Sequence, residues 1–175
     1  PLDGSPNITL DRFLSYGFSS SILIPVDTFN FNFVSPDGPP LNELIKEGDI
    51  CVLTANNVQL AQGIIDQTEV ETDANFGEKA ALSGRDLMAQ LEDQDAISLD
   101  SKPLFAQKIS VRNGVASLLR DTRITQIELR NAPSASYLLA TEPGENKLAA
   151  LQRFLEPLNC LAWMGPDGRI VVGKP

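Results

Sequence analysis

The chain has 175 residues, 42% of them hydrophobic, and a net charge of −9. That is enough apolar residue for a packed core, and the charge has the wrong sign for a surface that grips phosphate backbones. Histidine is absent, which excludes Ser–His and Cys–His nucleophile pairs and histidine metal sites, while two distant cysteines do not make a structural zinc site.

No apolar run approaches the roughly 18 residues that a membrane helix needs, and no basic segment followed by an apolar stretch marks a signal peptide. Membrane insertion is not expected. Cys51 and Cys160 both sit inside apolar segments and read as buried free thiols. The chain begins at Pro1 and stops at VVGKP, just after a strand-like segment, which reads as a piece of a longer protein.

In chain order, residues 19–34 (SSSILIPVDTFNFNFV) are β-rich. Phe29, Phe31 and Phe33 alternate with Asn30 and Asn32, so the phenylalanines share one face. Pro25 limits this strand to an edge or a bend. SPDGPP (35–40) has turn composition, and LNELIKEGD (41–49) reads as a short helical turn running into a tight turn at Gly48-Asp49. Residues 50–73 read as two strands joined near Asn56-Asn57, because Asn tolerates the positive φ of a tight hairpin. EKAALSG (78–84) is a further strand. Short strands with turns between them are the signature of a small barrel or sandwich.

The character then changes. Leu87, Met88 and Leu91 fall at helical spacing in residues 85–93, and Val111, Val115, Leu118 and Leu119 do so in residues 110–122. Residues 124–131 alternate like a strand. Leu148, Leu151, Leu155 and Leu158 form one stripe in residues 141–159, with Thr141 to Glu145 as the expected helix start. Residues 160–175 read as a hairpin around a Pro-Asp-Gly turn. The expected fold class is α+β: a small split-barrel, tube-like β domain over residues 1–101, including a joint helix at 85–93, then a small α/β domain over 102–175.

The candidate reactive residues are few. Glu92, Asp93 and Asp95 are carboxylates available for acid/base work or a hard cation. They lack the regular offsets and the glycine of a calcium loop, and read as a solvated face. SPDG and GPDG are turn chemistry. EPGENK has one glycine with acids around it, and lacks the longer Gly-flanked loop followed by Lys and Ser/Thr that cradles phosphate. Ser83-Gly84-Arg85-Asp86 lacks the flanking glycine pair of a nucleophile elbow and any base for Ser83. Gly84 reads as the exit from the strand, and Asp86 as a carboxylate on the free N–H groups of the next helix. Trp163 lies in an apolar strand and reads as core rather than as a sugar platform. No catalytic, cofactor or metal residue is expected.

The order of these pieces resembles the baseplate hub proteins of Mu-like contractile-tailed phages, the late control D or tail hub superfamily. Gly48, Asp49, Gly63, Ile65 and Asp66, then Gly84, Arg85, Asp86, Leu91 and Asp93, match that family's line from its paired strands into "GRD" and "L-x-D". Further on, Gly144, Glu145, Leu151, Arg153, Leu161, Gly168, Ile170 and Val171 match its last segment, with Asn159-Cys160 standing where the family often has a glycine. The match begins near residue 20; a second barrel domain, part of a complete hub, has no counterpart here.

The resemblance implies a virion structural protein, assembled in the host cytoplasm. It would form a trimeric ring that links the tail tube to the central spike, with no catalytic residues and no specific nucleic-acid binding. Two-faced β segments suit ring assembly through sheet edges, and an acidic wall would let DNA pass without sticking. Spike proteins of type VI secretion share the architecture, so phage, prophage and secretion origins stay open. The alternatives are a tail-associated cell-wall hydrolase, which would need a paired set of carboxylates, and a carbohydrate-binding module.

Overall fold

The computed structural model describes residues 9–10, 13–21, 24–35, 45–73, 77–96 and 107–174. The chain divides into two compact units, Pro1–Asp86 and Leu87–Pro175.

The first unit is one antiparallel sheet of five strands: β1 (Phe13–Ser21), β2 (Ile24–Ser35), β3 (Ile50–Ala55), β4 (Val58–Asp73) and β5 (Gly77–Asp86). Their spatial order is β1-β2-β5-β4-β3, a curled half-barrel. β1 and β3 are both edges, with no further strand beside them among the described residues, so the expected split barrel is present as an open sheet.

Phe29, Phe31 and Phe33 lie on one face of β2 and are buried with Ile45, Ile65, Ala80 and Leu82. Asn30 and Asn32, on the other face, are exposed. The period-2 alternation therefore decided which face became core. Phe13 stacks on this row, 5.3 Å from the Phe31 ring centroid and 6.0 Å from that of Phe33. Between β3 and β4, Asn56 and Asn57 take φ of 51° and 62°, and Ala55 pairs with Val58. This is the two-residue turn whose positive φ angles match the twist of a hairpin.

Residues 19–34 are not one strand. Ser21 pairs with Ile24, so Ser19–Ser21 closes β1 and β2 starts afresh. Pro25 stands in an interior strand, yet the β2–β5 ladder begins only at Thr28, so Pro25 lies at the frayed end where its missing N–H costs little. The turn expected at SPDGPP and most of the helical turn expected at LNELIKEGD fall on residues 36–44, outside the described residues.

The second unit begins at the helix that the sequence pattern joined to the barrel. Leu87, Met88 and Leu91 are fully buried. The short helix α1 (Ala89–Glu92) packs against the later helix α3 (Lys147–Leu155). The compact units divide after Asp86, which groups α1 with α3, the helix it packs against.

Two four-residue strands, β6 (Gln107–Ser110) and β8 (Ser136–Leu139), pair with each other. Between β6 and β7 (Ile127–Arg130) runs α2 (Val111–Leu118), capped by Ser110, whose hydroxyl accepts from the Asn113 N–H. The last strands, β9 (Leu161–Met164) and β10 (Ile170–Gly173), form the expected hairpin around Pro166-Asp167-Gly168. β10 also pairs in parallel with β7.

The apolar stripes of α2 and α3 are buried as their spacing required: Val111, Val115 and Leu118, then Leu148, Leu151 and Leu155. Helix α3 starts later than expected. Asn146, not Thr141, is its cap, accepting from the Ala149 N–H at 2.8 Å. After α3, a 3-10 turn (Glu156–Leu158) ends at Asn159 with φ 50°. A left-handed residue is needed there, and Asn is the side chain that tolerates it best after glycine. That accounts for Asn159 at a position where a glycine is common.

Candidate functional site

Six of the motif residues, Gly63, Ile65, Asp66, Gly84, Arg85 and Asp86, lie on the β4–β5 pair. Gly63 lies opposite Asp86, and Ile65 opposite Gly84. A Cβ at Gly63 would meet the Arg85 carbonyl and come within 2.6 Å of the Phe29 ring. One at Gly84 would meet the Ile64 carbonyl and come within 2.7 Å of Phe29 Cε2. The two glycines form a slot that admits the Phe29 ring against the sheet. Gly84 is thus not the exit from the strand, since β5 continues to Asp86.

Between Ile65 and Gln67 the register shifts, leaving Asp66 at a bulge. Its carboxylate receives both Nε and Nη2 of Arg85, at 2.7 and 3.0 Å, the two-point geometry that a guanidinium favours. The pair fixes the bulge from outside while Phe29 fixes it from within. Asp86 is buried, 3% exposed. It ends β5 two residues before Met88, the cap position of the next helix. Gly48, at φ +88°, and Asp49 make the turn ahead of β3: Asp49 Oδ2 accepts from the Lys46 N–H at 2.8 Å, and the Gly48 N–H donates to the Ile65 carbonyl at 2.7 Å.

Glu145 and Arg153 form a second clamp. Arg153 meets Glu145 through Nε and Nη2 at 2.9 and 2.6 Å, Glu142 through Nη1 at 2.9 Å, and the Ala140 carbonyl at 2.7 Å. It ties the loop before α3 to the helix itself.

The carboxylates of LEDQD lie at the surface. Glu92, Asp93 and Asp95 are exposed, and the backbone of the segment is tied to the start of α3 by an Asp95–Asn146 bridge and the Ala96 N–H to Glu145 carbonyl bond of 2.8 Å. Among the described residues no group of three or more His, Cys, Asp or Glu side chains is placed to hold a metal. Cys51 and Cys160 are free. Cys160 is buried, while Cys51 is half-buried, and burial pushes its thiol up to about 11. Trp163 is not core: it is half-buried on the sheet face of Val171 and Glu128, with the Arg130 guanidinium 6.0 Å from its ring centroid.

Lys147 went unremarked in the sequence because it sits inside a helical stripe. Its amine is buried and donates to Gln94 Oε1 at 2.7 Å and to the Arg120 carbonyl at 2.5 Å. Burial lowers its pKa below the ordinary 10.5, against the pull of Asp121 and with a smaller push from Arg120. The folded chain therefore releases this proton at a lower pH than the unfolded chain does. Between those two pH values the unfolded state binds more protons, so stability gains from Lys147 as pH rises towards about 10.4. Urea midpoints measured from neutral to alkaline pH should show this rising contribution in the native chain and its loss in Lys147→Met. Parallel curves for the two proteins would refute it.

The surface that remains is the pair of sheet edges. β1 carries no charged residue along Phe13–Ser21, and Phe13, Leu14, Tyr16 and Phe18 are exposed on it. β3 carries none along Ile50–Ala55, where Ile50 and Val52 are exposed beside Val58 and Leu60 of β4. Edge strands left bare of charge present their N–H and C=O groups to another chain.

No protein-family model matches the chain, and no curated sequence does. Solved structures do. The tail protein from Neisseria meningitidis superposes with a TM-score of 0.74 at 24% identity, over 92% of this chain and 46% of that one. The 43 kDa tail protein of prophage MuSo2 from Shewanella oneidensis gives 0.70 at 18% identity, over 90% and 49%. This chain has the fold of those tail proteins. A component of the E. coli type VI secretion system, itself structurally similar to T4 bacteriophage tail proteins, gives 0.59 at 13% identity, over 85% and 41%. The chain spans less than half the length of each of these tail-fold proteins.

Proposed function

We propose that the chain is a structural component of a tail baseplate hub. It supplies a wall segment of a trimeric ring that joins the tail tube to the central spike, in a contractile phage tail, a prophage-encoded tail or a related secretion machine. One observation carries the proposal: a curled sheet, open among the described residues, whose edge strands β1 and β3 carry no charge, in a fold shared with tail proteins and a secretion component. A half-barrel leaves two unpaired ladders, and a head-to-tail ring is an arrangement that pairs both.

In this reading the sheet unit is the tube-like, split-barrel part, and the residues from Leu87 onward are an attached α/β lobe. The motif residues serve shape: the Phe29 slot, the Asp66–Arg85 bulge clamp and the Glu145–Arg153 clamp hold surfaces in register for assembly. No residue is assigned to catalysis, a cofactor or a metal. The face opposite the aromatic core bears Asn30, Asn32, Glu69 and Glu71, which suits a wall past which DNA moves without being held.

Sedimentation velocity and native mass spectrometry over a range of concentrations test the assembly. A trimer is expected, with the virion tail baseplate as its destination. A chain that stays monomeric at every concentration, or a ring whose lumen proves basic, would overturn the hub.

A further inference from the structure

We infer that Lys147 and Gln94 form an internal lock in the second unit: one buried amine on α3 holds the segment after α1 and the turn after α2 in a single arrangement, and both loosen together when either half of the lock is removed.

Three stretches far apart in the chain meet at this amine. Lys147 is the first residue of α3, yet it is only 8% exposed. Its Nζ donates to Gln94 Oε1, in the segment after α1, at 2.7 Å, and to the Arg120 carbonyl, in the turn after α2, at 2.5 Å. The Gln94 side chain closes the triangle, its Nε2 donating to the Asp121 carbonyl at 3.3 Å. The main chain keeps the same register. The Lys147 N–H donates to the Gln94 carbonyl at 2.9 Å, Asp95 bridges to Asn146, and the Ala96 N–H reaches the Glu145 carbonyl at 2.8 Å.

Apolar burial does not fix the two loops. Leu91 and Leu119 anchor the elements before them, but Glu92, Asp93 and Asp95 on one side, and Arg120, Asp121 and Arg123 on the other, are exposed. Asp121 also takes φ 67°, a left-handed conformation that is unfavourable for residues other than glycine. α2 has no basic residue in its last turn, and the ammonium of Lys147 brings positive charge to the negative end of that helix from another element.

The chemistry of the group decides what it does. An apolar side chain in the same place would be buried without desolvating a charge, and would select no partner. A buried amine needs its acceptors, so any other placement of either loop leaves a donor unsatisfied. The lock therefore acts on which conformation the loops take more than on the stability of the unit as a whole.

Hydrogen–deuterium exchange resolved by residue tests the lock. The amides of Ala96, Thr122 and Arg123 are all hydrogen-bonded in the structure. In Lys147→Met they should exchange roughly tenfold faster, the effect of losing a hydrogen bond to a charged group. The buried amides of 150–155 and 170–172 should change by less than about twofold, since a local opening leaves the core closed. Gln94→Ala should loosen the same three amides, and the double variant should add little to either single change, as for two halves of one contact. Faster exchange spread evenly over the second unit, unchanged exchange at Ala96 or at Thr122 and Arg123, or full additivity would each overturn the inference. Should Lys147→Met fail to fold, Gln94→Ala decides alone: loosening of Ala96 without Thr122 and Arg123 would show that the two loops are not held together.

Discussion

Gly84→Val is expected to cost the first unit about 3 kcal/mol, the upper part of the range for inserting methyl groups into a filled space. The added Cβ meets the Ile64 carbonyl on one side and the Phe29 ring on the other. A backbone oxygen inside a five-stranded sheet has nowhere to go, and the ring is wedged among Phe31, Ile65 and Leu82. Against a typical total stability of roughly 5–15 kcal/mol, that loss is severe. Phe29→Ala should also cost about 3–5 kcal/mol, by emptying the same slot. The decisive measurement is the pair together. If the ring and the glycine share one space, Gly84→Ala with Phe29→Ala should cost clearly less than the sum of the two single changes in urea denaturation. Simple additivity would mean that Phe29 does not rest on Gly84.

Leu151→Ala is the counterpart in the second unit. Leu151 is 0% exposed, on the stripe that α3 turns inward with Leu148 and Leu155. Truncating a leucine in a packed core removes transfer energy and leaves a cavity, together about 3–4 kcal/mol. Gln152, the next residue, is exposed, and Gln152→Ala should change stability by no more than about 0.5 kcal/mol. Thermal melts of the two variants should separate accordingly. Similar melting of both would place the helix face wrongly.

These two variants mark the reach of sequence pattern. The α3 stripe, the α2 stripe, the phenylalanine row of β2, the Asn-Asn hairpin and the Pro-Asp-Gly hairpin were all legible, because each is a local regularity: a period of 3.6, a period of 2, or a turn with its own conformational demand. β1 was not. Register shifts near Leu14 and Ser19–Ser21 break its alternation, and its serines look like loop. β6 and β8 have four residues each, too few to show a period.

The motif positions were legible as positions but not as roles. Gly84 read as an exit, and proved to be half of a ring slot. Asp86 read as a carboxylate facing the next helix, and the structure adds that it is buried at the end of β5. Arg85 was singled out, yet its partner Asp66 lies 19 residues away across a bulge, and nothing local pairs them. Trp163 read as core because its neighbours are apolar; the pleat turned it to the sheet face that carries Glu128 and Arg130.

By itself, the sequence determined the core face of β2, α2 and α3, and it excluded histidine chemistry, since side-chain period and composition need no knowledge of distant contacts. Only the tertiary structure decided that, among the described residues, the sheet stays open with β1 and β3 as its edges, that the compact units divide after Asp86, and that the motif charges are clamps. Strand order, burial across a boundary and ion pairing all depend on which segments far apart in the chain come to lie side by side.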